Sequence, residues 1–156
     1  MFVQDLLNSR QVRLSNALRE LWTQHVVWTR TFVVSSAEEL ADLEFVTQRL
    51  LRNPSDFAEV LGAYYGRRKA DEFKRLLTDH LLIAANLVNF IKADDNQGYE
   101  AERARWFQNA DDIAAFLAQI NPFWDRRDWQ RMLYEHLELL EDEVTFRLEG
   151  RYEDDV

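Results

Sequence analysis

The apolar positions of this chain recur every three or four residues, the period of a helix that buries one face. A first stripe carries Leu14, Leu18, Leu21, His25, Trp28 and Phe32, and a shorter one Leu40, Leu43, Thr47 and Leu50. Phe73, Leu77, His80, Ala84, Leu87 and Ile91 form a third, and Trp106, Ala110, Ile113, Leu117 and Ile120 a fourth. The last runs through Trp129, Leu133, His136, Leu140, Glu143 and Arg147, widened by Met132, Leu139 and Val144. Nothing resembles the alternation of a half-buried strand.

Breaks in the pattern set the boundaries. Asn53-Pro54 and Asn121-Pro122 read as stop-and-restart signals, because proline cannot continue a helix yet suits its first turn. Gly66, Gly98 and Gly150 mark further breaks. Ser36 with Glu39 fits a capping box, and Asp125 ahead of Asp128 is a weaker form of it. Long helices are therefore predicted near 10–35, 67–93, 99–120 and 126–149, with short helical pieces near 38–52 and 55–65. The expected fold is all-α, a single domain over 1–156. It is an antiparallel four-helix bundle with the short extra helices between the first and second long ones. Residues 1–9 and 151–156 are expected to be loosely ordered.

Composition narrows the chemistry. With 4 Gly and 2 Pro in 156 residues, little of the chain can be loop. The glycines stand too far apart to cradle a phosphate, so no nucleotide is expected. The absence of cysteine removes disulfides, thiolate metal ligands and cysteine nucleophiles together. Lys and Arg total 19 against 28 Asp and Glu, a net charge of −9, which argues against a nucleic-acid partner. The basic run Arg67-Arg68-Lys69 reads as a solvated helix start. No apolar run approaches the ~18 residues of a membrane span. Asp5, Arg10 and Arg13 follow the apolar pairs Phe2-Val3 and Leu6-Leu7 too closely for a signal core, so a cytoplasmic location is expected. The wide, aromatic-rich stripes favour a homodimer.

Each of the three histidines lies on an apolar stripe near the middle of a different long helix, with spacings of 55 and 56 residues. Mid-helix placement puts all three imidazoles near the half-height of a bundle, whichever way the helices run. Three neutral imidazoles converging there suit a zinc, iron, copper or nickel ion. Glu143 on the His136 stripe and Asp112, Asn109 or the more distant Glu102 from the fourth long helix are candidates to join His25, His80 and His136. Glu-x-x-His and His-Glu-x-x-His patterns are absent: Leu77 and Leu133 precede His80 and His136 by three residues, and Thr29, Ala84 and Leu140 follow the histidines by four. The competing reading is a non-catalytic interaction protein whose histidines are structural, hydrogen-bonded by residues such as Thr29, Thr47, Tyr134 and Arg30. A weaker third is a small-ligand bundle with an aromatic-lined pocket. No Ser-His-acid constellation is apparent, and the tryptophans read as core filling. Whether the chain is an enzyme stays open.

The runs Leu21-Trp22-Thr23-Gln24-His25-Val26-Val27-Trp28-Thr29-Arg30, Leu50-Leu51-Arg52-Asn53-Pro54-Ser55-Asp56-Phe57, Ile120-Asn121-Pro122-Phe123-Trp124 and Met132-Leu133-Tyr134-Glu135-His136-Leu137 carry a resemblance. In them the chain resembles a family of small helical bacterial proteins, some of whose members bear an acetylglutamate kinase label. That enzyme class is larger, α/β, and grips nucleotide with glycine-rich loops that this sequence lacks. More distantly the chain looks like ferritin-like and hemerythrin-like bundles, and that resemblance implies metal binding.

Overall fold

The structure, a computed structural model, describes residues 10–156. Six helices follow one another: α1 (Arg10–Ala37), α2 (Leu43–Tyr65), α3 (Arg67–Lys92), α4 (Asn96–Ile120), α5 (Arg126–Leu148) and the short α6 (Tyr152–Asp155), with no strand among the described residues. The protein is all-α, as its periodicity dictates. Each long helix packs on the next in chain order, and α1, α3 and α5 also meet one another. Among the described residues no helix is long and apolar enough to cross a membrane.

The two short pieces expected between the first and second long helices are one continuous helix, α2, with Pro54 inside it, so the long helices number five. An interior proline typically costs about 3 kcal/mol through a lost hydrogen bond and a clash with the preceding turn. Here Val46, Leu50, Asn53, Pro54, Phe57 and Leu61 are buried on one face, and burying that whole face outweighs a local defect. Propensity favoured two helices, and tertiary packing joins them.

Helix ends follow the sequence unevenly. Asp125 caps α5, its carboxylate accepting from the N–H groups of Arg127 (2.8 Å) and Asp128 (3.1 Å). Gly66 alone separates α2 from α3 at φ 80°, a backbone conformation that favours glycine. The Ser36 capping box does not form. α1 runs on through Ala37 with Ser35 and Ser36 buried, and the chain turns only at Glu39 (φ 53°). Lys92 on α3 then donates to the Ser36 carbonyl at 2.6 Å. Gly98, expected at a break, lies inside α4, where a Cβ would collide with the Phe90 ring.

Every member of the Trp106–Ile120 stripe is buried, as are Phe73, Leu77, His80 and Leu87 of the third. Met132 and Leu139, expected to widen the α5 stripe, are exposed instead. Trp124 packs between Tyr65 and Trp129 at one end of the molecule. In the segment 151–156, residues 152–155 are helical, and the Asp155 side chain is fully enclosed against Arg30 and Arg147. Residues 1–9 lie outside the described residues.

Candidate functional site

The histidines come from α1, α3 and α5, the helices that meet at the centre, and they form one layer. The His136 ring centroid lies 6.0 Å from that of His25 and 6.1 Å from that of His80. His25 and His80 are each only 3% exposed, while His136 is half-buried.

The even-numbered helices supply what holds two of these rings. Asn53 on α2 sits with its Oδ1 3.3 Å from His25 Nδ1, and Asn109 on α4 with its Oδ1 2.9 Å from His80 Nδ1. Each asparagine also donates its amide, at 3.0 Å, to the backbone carbonyl four residues before its histidine: Asn53 to Leu21, Asn109 to Leu76. A carbonyl only accepts, so these bonds fix which end of each amide is nitrogen. Oδ1 must then face the ring, Nδ1 must carry the proton, and Nε2 is left as a lone pair. The hairpins α1–α2 and α3–α4 thus repeat one device, with the asparagine 28 residues beyond the histidine in the first and 29 in the second.

Electrostatics keeps the rings neutral. Burial, reinforced by His136 and partly opposed by the Asn53 bond, pushes the His25 pKa down from 6.5 to about 4. Burial together with the neighbouring His136 and His25 takes His80 down to about 3, and burial lowers His136 as well.

Beside the layer lies an internal cavity of about 20 Å³, lined by all three histidines and by Thr29, Ala84 and Leu140 one turn further along the same helices. Trp106 from α4, 1% exposed, also lines it, with its ring centroid 5.4 Å from that of His80. Among the lining residues, Trp106 Nε1 and Thr29 Oγ1 are buried without a hydrogen-bond partner. Outside, His136 reaches two surface grooves. One of about 370 Å³ is apolar and bounded by Trp22, Val26, Trp129, Met132 and Leu133; one of about 300 Å³ includes Arg30, Glu143 and Asp155.

The other candidates are not brought to the layer. Glu143 accepts from Arg30 at 2.9 Å in the outer groove. Asp112 is exposed, accepts from Gln108 at 3.1 Å, and borders clefts between α3 and α4 that contain none of the histidines. Glu102 is taken up by Asn86 and Arg105. Nor do the expected hydrogen-bond partners serve the rings. Thr47 donates to Leu43, Tyr134 to Asp111, and Arg30 to Glu143 and Asp155. Asn53 does that work for His25, although its sequence context read as a helix break. Among the described residues, no three His, Asp or Glu side chains already stand close enough to hold a metal ion. No protein family, characterised protein or solved structure matches the chain, so the family resemblance rests on the residues quoted for it.

Proposed function

We propose that the protein binds one divalent transition-metal ion, zinc, iron, copper or nickel, through Nε2 of His25, His80 and His136, inside an antiparallel bundle of its long helices. The observation that carries this reading is the pair of Asn–His bonds. Ligating histidines characteristically donate the ring nitrogen that is not on the metal to a fixed acceptor, which sets tautomer and orientation. Asn53 and Asn109 provide that acceptor, and depressed basicity leaves the imidazoles neutral, the form that binds metal. Three imidazoles on one ion at about 2.1 Å place their ring centroids about 5 Å apart. His136 stands 6.0 and 6.1 Å from the other two rings, so binding one ion requires each of those separations to close by about 1 Å and His25 and His80 to approach one another as well. Three protein ligands with an open fourth position suit activation of water.

Elemental analysis of protein purified without a histidine tag tests this. The expected result is about one ion per chain. Each His→Ala substitution should lower metal content and thermal midpoint together, and chelator should destabilise the wild type but not the triple variant. A metal-free protein with chelator-insensitive unfolding and additive His→Ala effects overturns the proposal. It would leave the alternative, a non-catalytic protein in which Asn53 and Asn109 satisfy structural histidines.

A further inference from the structure

The charges of this acidic chain are sorted between the two ends of the molecule. Lys92 at the end of α3 reaches the Ser36 carbonyl and Glu39, and Arg147 near the end of α5 pairs with Glu38 at 3.0 Å, so α1, α3 and α5 finish together. Glu39, Asp42, Asp94, Asp95, Glu149 and Glu153 are exposed at that end. At the opposite end the Tyr65 hydroxyl, closing α2, accepts from the Asn121 amide at 3.1 Å, and the Tyr65 ring lies 6.0 Å from that of Trp124. The first turns of α3 and α5 therefore stand at one end. Arg67, Arg68, Arg126 and Arg127 are exposed there, and Lys69 is half-buried.

Local stability does not account for this sorting. Cations in a first turn oppose the helix macrodipole, yet α3 opens on Arg67-Arg68-Lys69 with no acid in that turn and no side-chain cap. The nearby acids are already engaged. Asp71 pairs with Arg67 at 3.7 Å, Glu72 with Arg75 at 2.8 Å and Asp128 with Arg131 at 3.0 Å, while Asp125 caps α5. Among the described residues, Arg68, Lys69, Arg126 and Arg127 enter no ion pair. The loop from α4 to α5 presents Phe123 at the same end, 92% exposed. That loop is pinned: Asn121 Oδ1 accepts from the Phe123 N–H at 3.0 Å while its amide donates to Tyr65. One exposed phenyl ring is ordinary by itself. On a pinned loop beside four cations without ion pairs, it completes a surface with two chemistries.

We propose that this end docks on an anionic lipid bilayer, with Arg68, Lys69, Arg126 and Arg127 on the phosphates and Phe123 in the acyl boundary beneath them. A bilayer offers both contacts on one face, charge outside and hydrocarbon below. Nucleic acid offers the phosphates without the apolar layer. The acidic end does not interfere, because α3 with its 26 residues spans about 39 Å, several times the ~8 Å over which salt screens exposed charges.

Flotation of the full chain with lipid vesicles provides the test. It should bind vesicles of mixed phosphatidylserine and phosphatidylcholine but not of phosphatidylcholine alone, and the binding should weaken as salt rises. Replacing two cations together, Arg126→Gln with Arg127→Gln, should lower the partition coefficient about 25-fold, at about fivefold for each. Phe123→Ser should lower it about tenfold and leave the salt dependence unchanged. Asp94→Asn, at the acidic end, should change nothing. All these side chains are exposed, and a far-UV spectrum checks that each variant keeps its helices. Failure of the wild type to bind the mixed vesicles, or binding that neither the double arginine variant nor Phe123→Ser weakens, overturns the proposal. An RNA or DNA oligonucleotide, or a second copy of the chain, that occupies this end while vesicles go unbound overturns it as well.

Discussion

An asparagine can dictate a histidine tautomer only when its own amide is already oriented, and in this protein a backbone carbonyl does the orienting twice. Asn109→Ala would remove the acceptor from a ring that is 3% exposed and leave a buried Nδ1–H unpaired. We expect it to cost about 1–3 kcal/mol in urea unfolding of the metal-free protein, and to weaken metal affinity about 10- to 100-fold in chelator competition. Asn53→Ala should act in the same direction but less, since its bond is 3.3 Å against 2.9 Å. At this scale the sequence was half legible. His25, His80 and His136 declare themselves because a titratable residue interrupts an otherwise apolar stripe. Asn53 does not, because an asparagine before a proline carries a stronger local meaning than a partner on another helix. Trp106 is hidden differently: its stripe position reads correctly as core, but periodicity says nothing of where the indole N–H goes.

At the scale of elements, periodicity located α1, α3, α4 and α5 but split α2 into two short pieces, and the errors fall where local signals compete with packing. The Asn53-Pro54 and Ser36–Glu39 signals are genuine preferences overridden by burial of the α2 face and of Ser35 and Ser36 in α1. Where no packing opposes it, as at Asp125, the local signal prevails. The short α6 has no apolar stripe to announce it. Asp155 ties it to the bundle, accepting from both terminal nitrogens of Arg30 and, at 3.3 Å, from Arg147, whose guanidinium also lies over the Tyr152 ring. Asp155→Asn keeps the shape and removes the charge. The expected outcome is rapid amide exchange at residues 152–155, with a cost of about 1–2 kcal/mol. The thermal midpoint should fall only a few degrees, because α1–α5 do not depend on α6 for their core. A midpoint loss as large as that of a core Leu→Ala would show that α6 is integral to the bundle.

The whole molecule leaves apolar surface uncovered around the His136 grooves, with Val26, Met132 and Leu139 61%, 50% and 62% exposed. We therefore expect the homodimer foreseen from the wide stripes, checked by sedimentation equilibrium; a clean monomer at high micromolar concentration rules it out. The same molecule should be unusually sensitive to mild acid when metal-free. In the unfolded chain the histidines titrate near 6.5, whereas in the native protein His25 does so at about 4 and His80 at about 3, with His136 also lowered. Below pH 6.5 the unfolded state takes up protons that the native state refuses. The stability that neutral burial contributes is thus complete above about pH 6.5. It is lost as pH falls toward the native values, by up to about 1.4 kcal/mol per pH unit for each ring. Carboxylates ionise near pH 4, so the interval from 6.5 to about 4.5 isolates the histidines. Urea unfolding of metal-free protein at pH 7, 5.5 and 4.5 should show this decline, and a His25→Gln, His80→Gln double variant should flatten it whatever its stability at pH 7. A wild-type profile that stays level over the interval would mean that the layer opens to water and takes up its protons in the native state. Bound metal should steepen the same dependence, because the ion and the proton compete for Nε2.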